Sequence, residues 1–261
     1  MTPASWETLF GAIRRAEALL CDWDGCLALD NQLLPNVADV LRAGPPFAIV
    51  SNNSTLPRAD YRAILGRQGL AVEEAQIHLA GDAMMREAAR RFPSMRIELV
   101  GVPAMRSAAL DLGLRLVRAD PEIVLLCRDT GLSFVDLERV ANHVRNGAVF
   151  WVANGDMSHP VRNGVSPETG ALATAVSAVA GRQADRVFGK PAPFLYQAAL
   201  ASLGVTAQQA LMIGDNPATD IVGAHALDLP SLLIDQCSWV PGSRPSSSTT
   251  TTSVTTRAWP T

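Results

Sequence analysis

Short runs of continuous apolar residues recur along the chain, and each ends at a polar or glycine position. In the outer parts of the sequence these runs occupy residues 18–21, 47–50 and 210–213. Continuous apolar runs without alternation predict strands that are covered on both faces, as in a parallel sheet. Segments with helical periodicity lie between them, at residues 56–68 and 193–203. Strands alternating with helices predict an α/β fold with a doubly wound, Rossmann-like parallel-sheet core.

The middle of the chain carries a second set of strand and helix patterns. Apolar runs at residues 97–100, 123–126 and 149–152 alternate with helical patterns at residues 83–91, 105–112 and 134–145. About 100 residues are enough for an independent domain. We therefore predict a core domain formed by residues 1–78 and 188–240, with an α/β cap domain inserted at 79–187. Residues 241–261 are rich in Ser, Thr and Pro and predict a disordered tail.

Three polar side chains directly follow the outer apolar runs. Asp22 follows the first run, Ser51 the second, and Asp215 the third after one glycine. Ligands of open α/β sheets bind at the carboxyl ends of the strands. The pattern therefore predicts that these residues meet at one edge of the sheet, although they are distant in the sequence.

Composition narrows the classes of function. The formal net charge of -3 and the pI of about 5.8 show no excess of positive charge, so we expect no nucleic-acid partner. No apolar stretch reaches the length of a membrane span, so we expect no membrane association. The four cysteines lack the paired spacing of a zinc site. A reducing, cytoplasmic location is the simplest prediction.

The segment Asp22-x-Asp24-Gly25 carries the first candidate chemistry. Two carboxylates held close together need a counter-charge, which Mg²⁺ together with a phosphate group supplies. Gly25 would let the backbone approach an anion and present its N–H group. The alternative is an ordinary pair of solvated loop acids.

Three further segments have both a functional and a structural interpretation. Lys190 follows Gly189, which permits close approach of the backbone, although most lysines are solvated surface residues. The polar run at residues 51–54 is suited to holding phosphate oxygens or to capping a helix. Asp215 and Asp220 add two acids after the third strand, of which Asp220 is also suited to capping the helix that follows.

In this order the segments resemble the four motifs of the haloacid dehalogenase-like hydrolase superfamily. The matching positions are Asp22-x-Asp24, Ser51, Lys190 and Gly214-Asp215-x-x-x-Thr219-Asp220. Each motif alone is weak, whereas the ordered set of four is specific. Because the insertion lies between the second and third motifs, the chain resembles the type IIA subfamily with a C2 cap. That subfamily includes NagD-type nucleotidases, pyridoxal phosphate phosphatase and phosphoglycolate phosphatase.

The resemblance implies a Mg²⁺-dependent phosphatase that forms an aspartyl-phosphate intermediate. Asp22 would be the nucleophile and Asp24 the general acid and base. The metal ligands would be Asp22, Asp215 and the backbone carbonyl of Asp24, with Asp220 steadying the site from outside the ligand set. The residues expected to bind phosphate are Gly25, Ser51, Asn52 and Lys190. The expected partner is a small phosphorylated metabolite or nucleotide monophosphate, and a homodimer through the cap is possible for this subfamily.

Substrate choice is expected in the cap, at residues 152–160, which we call the cap loop. Its predicted specificity residues are Asn154, Asp156 and His159. Many relatives carry Thr-Asn-Pro-Asp where this chain has Ala153-Asn154-Gly155-Asp156. The His159-Pro160 pair resembles pyridoxal phosphate phosphatase, while a solvent-exposed loop histidine is the structural alternative.

Three other functions stay open on the residues alone. One is pyridoxal phosphate or phosphoglycolate phosphatase proper. Another is a different reaction on the same fold, such as carbon–halogen hydrolysis or phosphoryl transfer to an acceptor other than water; the dehalogenases lack the acid found here at Asp24. The last is a non-catalytic ligand-binding member of the fold, against which the presence of every core motif residue argues.

Overall fold

The computed structural model describes residues 2–161 and 164–242. The predicted tail lies outside the described residues from position 243 onward. The strands are β1 Ala18–Cys21, β2 Ala28–Leu29, β3 Gln32–Leu33, β4 Phe47–Ser51, β5 Ile77–Leu79, β6 Arg96–Val100, β7 Arg115–Leu116, β8 Ile123–Leu126, β9 Val149–Val152, β10 Ser158–Val161, β11 Gly164–Pro167, β12 Arg186–Val187, β13 Ala210–Gly214 and β14 Ser231–Leu233. The helices are α1 Trp6–Ile13, α2 Val37–Ala43, α3 Arg58–Arg67, α4 Ala80–Arg91, α5 Pro103–Asp111, α6 Phe134–Arg145, α7 Thr169–Ala180, α8 Phe194–Leu203 and α9 Val222–His225.

The chain divides into two compact units. The first comprises the described residues of Met1–Ser51, Tyr61–His78 and Tyr196–Thr261, and the second comprises Asn52–Asp60 and Leu79–Leu195. The predicted cap domain spans residues 79–187. The second unit begins its longer segment at the same residue, runs on to Leu195, and also takes in Asn52–Asp60. The limits of the cap as a functional domain stay a prediction.

The first unit is built on a five-stranded sheet with the order β14-β13-β1-β4-β5. Strand β1 is parallel to both β13 and β4, and β13 is parallel to β14. Every residue of β1, β4 and β13 is buried, as the continuous apolar runs predict. The register places Cys21 opposite Ile49 and Ile213, so the three predicted strands end at the same edge. The predicted Rossmann-like core is confirmed.

The second unit has its own five-stranded sheet, in the order β12-β9-β8-β6-β7, with every neighbouring pair parallel. Helices α6 and α7 contribute to one apolar cluster with its strands, which includes Leu126, Val140, Phe150 and Val176. An antiparallel hairpin of β10 and β11 follows β9. An α/β architecture in the middle of the chain is therefore confirmed.

Two global features bear on the class of protein. Among residues 2–161 and 164–242, the helices all fall short of the length and apolar character that crossing a bilayer requires. All four cysteines belong to the described residues and carry free thiols, with Cys21, Cys26 and Cys127 buried and Cys237 exposed.

Candidate active site

Asp22 begins the loop after β1 at the edge where the buried strands end. Its backbone N–H donates to the carbonyl of Ile213 at 2.9 Å, so the chain is still tied to β13 at this residue. Its side chain is only 7% exposed. A carboxylate this deeply buried needs a compensating positive charge or hydrogen bonds.

Two more carboxylates come from the segment after β13. Asp215 is half-buried directly after the strand, and a π-helical turn at Pro217–Ile221 carries Asp220, which is fully buried. The N–H of Asn216 donates to Asp220 Oδ2 at 3.1 Å, which holds that side chain inward. The N-cap position of helix α9 is held by Ile221, so Asp220 does not occupy the capping position that was its structural alternative. Single π-helical turns of this kind occur often at functional sites.

Asp22, Asp215 and Asp220 form one cluster of carboxylates. One oxygen of each lies within 4.8 Å of an oxygen of the others. Carboxylate oxygens are the ligands that Mg²⁺ prefers, and a divalent cation offsets the repulsion between such groups. The residues present therefore fit a divalent cation. Asp220, predicted to steady the site, contributes its carboxylate to the same cluster, and its exact role stays a prediction.

The loop between Asp22 and β2 is a tight turn. Gly25 has a φ of +83°, a conformation that side chains with a Cβ rarely adopt, and its N–H donates to the Ala28 carbonyl at 2.9 Å. A Cβ at Gly25 would also collide with the Asp215 carboxylate. Gly25 thus makes room for Asp215, and the phosphate contact expected of it stays a prediction. Asp24 lies on the same turn with its side chain exposed.

The other side chains around this loop serve packing. Trp23 is fully buried, its ring centroid lies 5.4 Å from that of Tyr61, and its Nε1 donates to Asn31 at 3.2 Å. Burial raises the pKa of the Cys21 and Cys26 thiols well above the usual value. Neither thiol is therefore available as a thiolate nucleophile.

Neighbouring residues of the polar run after β4 lie in different environments. Ser51 closes the strand and is 2% exposed. Asn53 Oδ1 accepts from the N–H groups of Thr55 and Leu56, both at 2.9 Å, which forms a local turn before helix α3 begins at Arg58. The expected phosphate-binding roles of Ser51 and Asn52 stay predictions.

In the second unit Asn52, Asp156 and Lys190 are brought together. The Lys190 N–H donates to Asn52 Oδ1 at 2.7 Å, and Asn52 Nδ2 donates to the Lys190 carbonyl at 3.1 Å. The same Nδ2 donates to Asp156 Oδ2 at 2.9 Å. Lys190 is 3% exposed, which is rare for a lysine and excludes the solvated surface role.

Asn154 is an internal support of the cap loop. It is 1% exposed, and its Nδ2 donates to the Asn52 carbonyl at 2.7 Å and to Thr169 Oγ1 at 3.2 Å. Its Oδ1 accepts from the Asp156 N–H at 3.1 Å. Thr169 also contacts Ser54 Oγ at 3.0 Å. The part of Thr169 in this network is missed by sequence reasoning, because a hydroxyl beside a helix start has many ordinary explanations.

His159 lies on β10 and is linked to this network through Glu168, whose Oε2 accepts from the Thr169 N–H at 3.3 Å. Its Nδ1 is 2.7 Å from Glu168 Oε1, a contact that becomes an ion pair when the imidazole is protonated. Glu168 Oε1 also lies 3.5 Å from Arg128 Nε. No signal in the sequence joins these three residues, since they come from different strands and loops.

Two family models match separate segments of this chain. The model described as haloacid dehalogenase-like hydrolase matches residues 19–115, and one described as HAD-hydrolase-like matches residues 187–237. Chronophin from Mus musculus is 32% identical over 252 residues, which cover 88% of this chain and 86% of that protein. Ribonucleotide monophosphatase NagD from Escherichia coli K12 is 26% identical, with coverage of 83% and 86%.

Solved structures agree with these relatives. The p-nitrophenyl phosphatase from Archaeoglobus fulgidus has a TM-score of 0.79 at 26% identity, covering 84% of this chain and 85% of that one. A glycerol phosphate phosphatase from Mycobacterium tuberculosis, in complex with magnesium, has a TM-score of 0.75 at 28% identity, with coverage of 89% and 70%. The chain belongs to the haloacid dehalogenase-like hydrolase family, in its NagD-type subfamily.

Proposed function

We propose that this protein is a Mg²⁺-dependent phosphatase that hydrolyses small phosphomonoesters through an aspartyl-phosphate intermediate. The observation that carries the proposal is the buried cluster of Asp22, Asp215 and Asp220 at the carboxyl edge of a parallel sheet. Proteins similar to this chain are named as phosphatases for ribonucleotides, p-nitrophenyl phosphate and glycerol phosphate. Family membership and site chemistry point to the same reaction.

In the first half of the reaction, an oxygen of the Asp22 carboxylate forms a bond to phosphorus. The bond between phosphorus and the ester oxygen breaks, and protonated Asp24 gives its proton to that leaving oxygen. The exposed position of Asp24, two residues after the nucleophile, suits contact with a leaving alcohol. Covalent catalysis of this kind divides one difficult displacement into two easier ones.

In the second half, water attacks the phosphorus of the aspartyl-phosphate. Asp24, now a carboxylate, takes the proton from this water, and the bond between phosphorus and Asp22 breaks. Inorganic phosphate leaves, and both aspartates return to their starting forms. One side chain acting first as acid and then as base suits this two-step cycle.

The metal would be held by the carboxylates of Asp22 and Asp215 and by the backbone carbonyl of Asp24, with Asp220 beside them. When bound, Mg²⁺ neutralises negative charge on the phosphoryl group and on the cluster. Ser51, Lys190, Gly25 and the backbone of Asn52 would hold the phosphoryl oxygens. Offsetting the charge on these oxygens is the main catalytic demand in phosphoryl transfer.

Substrate choice would rest on the cap loop. Half-buried Asp156 and His159 present polar groups suited to hydroxyl or anionic groups of a substrate, while buried Asn154 acts through the loop it holds. A small metabolite in the cytoplasm remains the expected substrate. A screen of phosphorylated metabolites that includes nucleotide monophosphates, pyridoxal 5′-phosphate, phosphoglycolate and glycerol phosphate would identify its class.

The mechanism is tested by hydrolysis of p-nitrophenyl phosphate in Mg²⁺ buffer. Asp22→Asn keeps the size of the side chain and removes the nucleophile, so turnover should fall to background while the circular dichroism spectrum stays unchanged. Asp111→Asn, at an exposed position of α5, is the matched control and should keep full activity. Sustained turnover by Asp22→Asn, or full activity of the wild type in excess chelator, would contradict the proposed mechanism.

A further inference from the structure

The Asn52 side chain is fully engaged within the second unit. Its Oδ1 accepts the Lys190 N–H at 2.7 Å, and its Nδ2 donates to the Lys190 carbonyl at 3.1 Å and to Asp156 Oδ2 at 2.9 Å. An amide nitrogen has two hydrogens, so both donors are in use. A phosphate ligand would therefore find no donor left on this side chain.

The orientation of this amide is fixed by its neighbours. A backbone N–H can only donate, so the Asn52 oxygen must face Lys190 N; a carboxylate can only accept, so the nitrogen must face Asp156. Swapping the two ends would break all three hydrogen bonds. Asparagine alone supplies this donor and acceptor set at this length, since aspartate lacks the donors and glutamine is longer.

Gly189 gives independent support for this packing. A Cβ at Gly189 would lie 2.5 Å from Asn52 Oδ1 and 2.7 Å from the Cβ of Asn154. Such distances are well inside ordinary contact, so the glycine permits the two asparagines to pack against the backbone next to Lys190. The backbone of Asn52 is fixed in turn, because its carbonyl accepts from Asn154 Nδ2 at 2.7 Å.

We propose that Asn52 is a positioning residue that fixes the backbone of Lys190 and couples it to Asp156 in the cap loop. The inference rests on the proposed function, in which Lys190 binds the phosphoryl group. A lysine ammonium sits at the end of a flexible four-carbon stem, so its position depends on how firmly its backbone is held. Misplacing a catalytic group by about 1 Å costs on the order of 100-fold in rate. A change in the cap loop at Asp156 thus alters phosphate binding through Asn52.

The hydrogen bonds themselves are tested by amide hydrogen exchange, without reference to activity. Asn52→Ala removes the acceptor of the Lys190 N–H, and exchange of this amide should accelerate by ~10-fold or more. Asp156→Ala should accelerate it by a smaller factor. Asn142→Ala and Asp111→Ala, at exposed positions of α6 and α5, are matched controls and should leave this amide unchanged.

The functional coupling is tested by calorimetric binding of inorganic phosphate in Mg²⁺ buffer. Asn52→Ala should weaken binding by ~10-fold, and Asp156→Ala by ~3-fold, because each loosens the support of Lys190. The double variant should bind no more weakly than Asn52→Ala, since both changes act on one chain of contacts. If Asn52→Ala fails to fold, the proposal is tested by the exchange rate of the Lys190 amide and the phosphate affinity of Asp156→Ala.

Two results would overturn the proposal. Normal phosphate affinity in Asp156→Ala would mean that the cap loop is not coupled to Lys190. Strictly multiplicative losses in the double variant would mean that Asn52 and Asp156 act separately. If wild-type protein binds phosphate with the expected variant pattern yet hydrolyses no phosphomonoester, the proposed function fails while the positioning role of Asn52 stands.

Discussion

Gly25 shows how a residue without a side chain shapes the carboxylate cluster. Its φ of +83° closes the turn after Asp22, and the absence of a Cβ leaves room for the Asp215 carboxylate. These are separate contributions, one to backbone conformation and one to space. A second glycine in the chain allows them to be measured separately.

Gly25→Ala should raise the Mg²⁺ concentration needed for half-maximal activity by ~10-fold or more. The added methyl group displaces Asp215, and the left-handed backbone adds a cost of about 1–2 kcal/mol. The matched control is Gly113→Ala, because Gly113 has a φ of +77° with nothing within 4 Å of its Cβ position. That variant should lose stability and keep its Mg²⁺ dependence; an equal Mg²⁺ effect in both variants would contradict the role of Gly25.

The sequence predicts that Asp22 and Asp215 lie together, but it does not predict the hydrogen bonds of individual side chains. Their proximity is predictable because each comes after an apolar run that is typical of a buried strand. The direction of the Asn52 amide is not predictable, because it depends on Lys190 and Asp156, whose positions relative to Asn52 are set by the fold. The contact of Glu168 with His159 is not predictable from the sequence for the same reason.

At the scale of elements, the predicted strand bounds agree with the structure to within one residue where nearly every residue of the strand is buried. Strands β1, β8 and β9 begin and end as predicted, since every residue or nearly every residue in them is buried. Helix α4 begins at Ala80, three residues before the prediction, and its first turn carries Asp82, whose Oδ2 lies 2.5 and 2.8 Å from the Nε atoms of Arg58 and Arg86. The β10–β11 hairpin is not predicted. Its second strand is exposed or half-exposed throughout, so it lacks an apolar pattern.

Helix α4 also carries a charge cluster with a predictable pH dependence. Glu87 is 8% exposed and accepts from Arg90 and Arg91 at 2.9 and 2.5 Å, with Arg186 at 3.3 Å. The hydrogen bond from Arg90, helped by that from Arg91, lowers the pKa of Glu87 from 4.5 to about 2. A lowered pKa in the folded state stabilises the protein above pH 4.5, and this contribution is lost as the pH falls toward 2.

Glu87→Gln should therefore reduce the free energy of unfolding at pH 7 by about 2 kcal/mol, the size of a hydrogen bond to a charged group. The difference from wild type should narrow as the pH is lowered below 4.5, as measured by urea denaturation. Glu138→Gln, at an exposed position of α6, is the control and should be nearly neutral at every pH. A difference that is independent of pH would show that the charge of Glu87 is not what stabilises the helix.

At the scale of the whole molecule, the carboxylate cluster links stability to metal binding. Asp22, Asp215 and Asp220 crowd negative charge into a buried site of the first unit, so a cation that binds only the folded state raises its stability. A ligand at 100 times its dissociation constant adds about 2.7 kcal/mol. For a chain of this size the melting temperature should rise by about 5 °C or more.

Differential scanning fluorimetry with and without Mg²⁺ measures this effect. Asp215→Asn should melt at the wild-type temperature or above it without metal, because repulsion within the cluster is relieved. The same variant should lose the Mg²⁺-dependent shift. Asp111→Asn should behave as wild type. An undiminished shift in Asp215→Asn would place the metal elsewhere.

The second unit is assembled from two separate stretches of chain, Asn52–Asp60 and Leu79–Leu195. This arrangement sets a rule for building chimeras between members of the family. A graft limited to residues 79–187 would keep Asn52 and Lys190 of the host and would replace only Asp156 of the three by the residue of the donor. Recombination at 52–60 together with 79–195 transfers Asn52, Asp156 and Lys190 as a set. Crossover points chosen this way should yield active hybrids more often than those placed at the ends of the insertion.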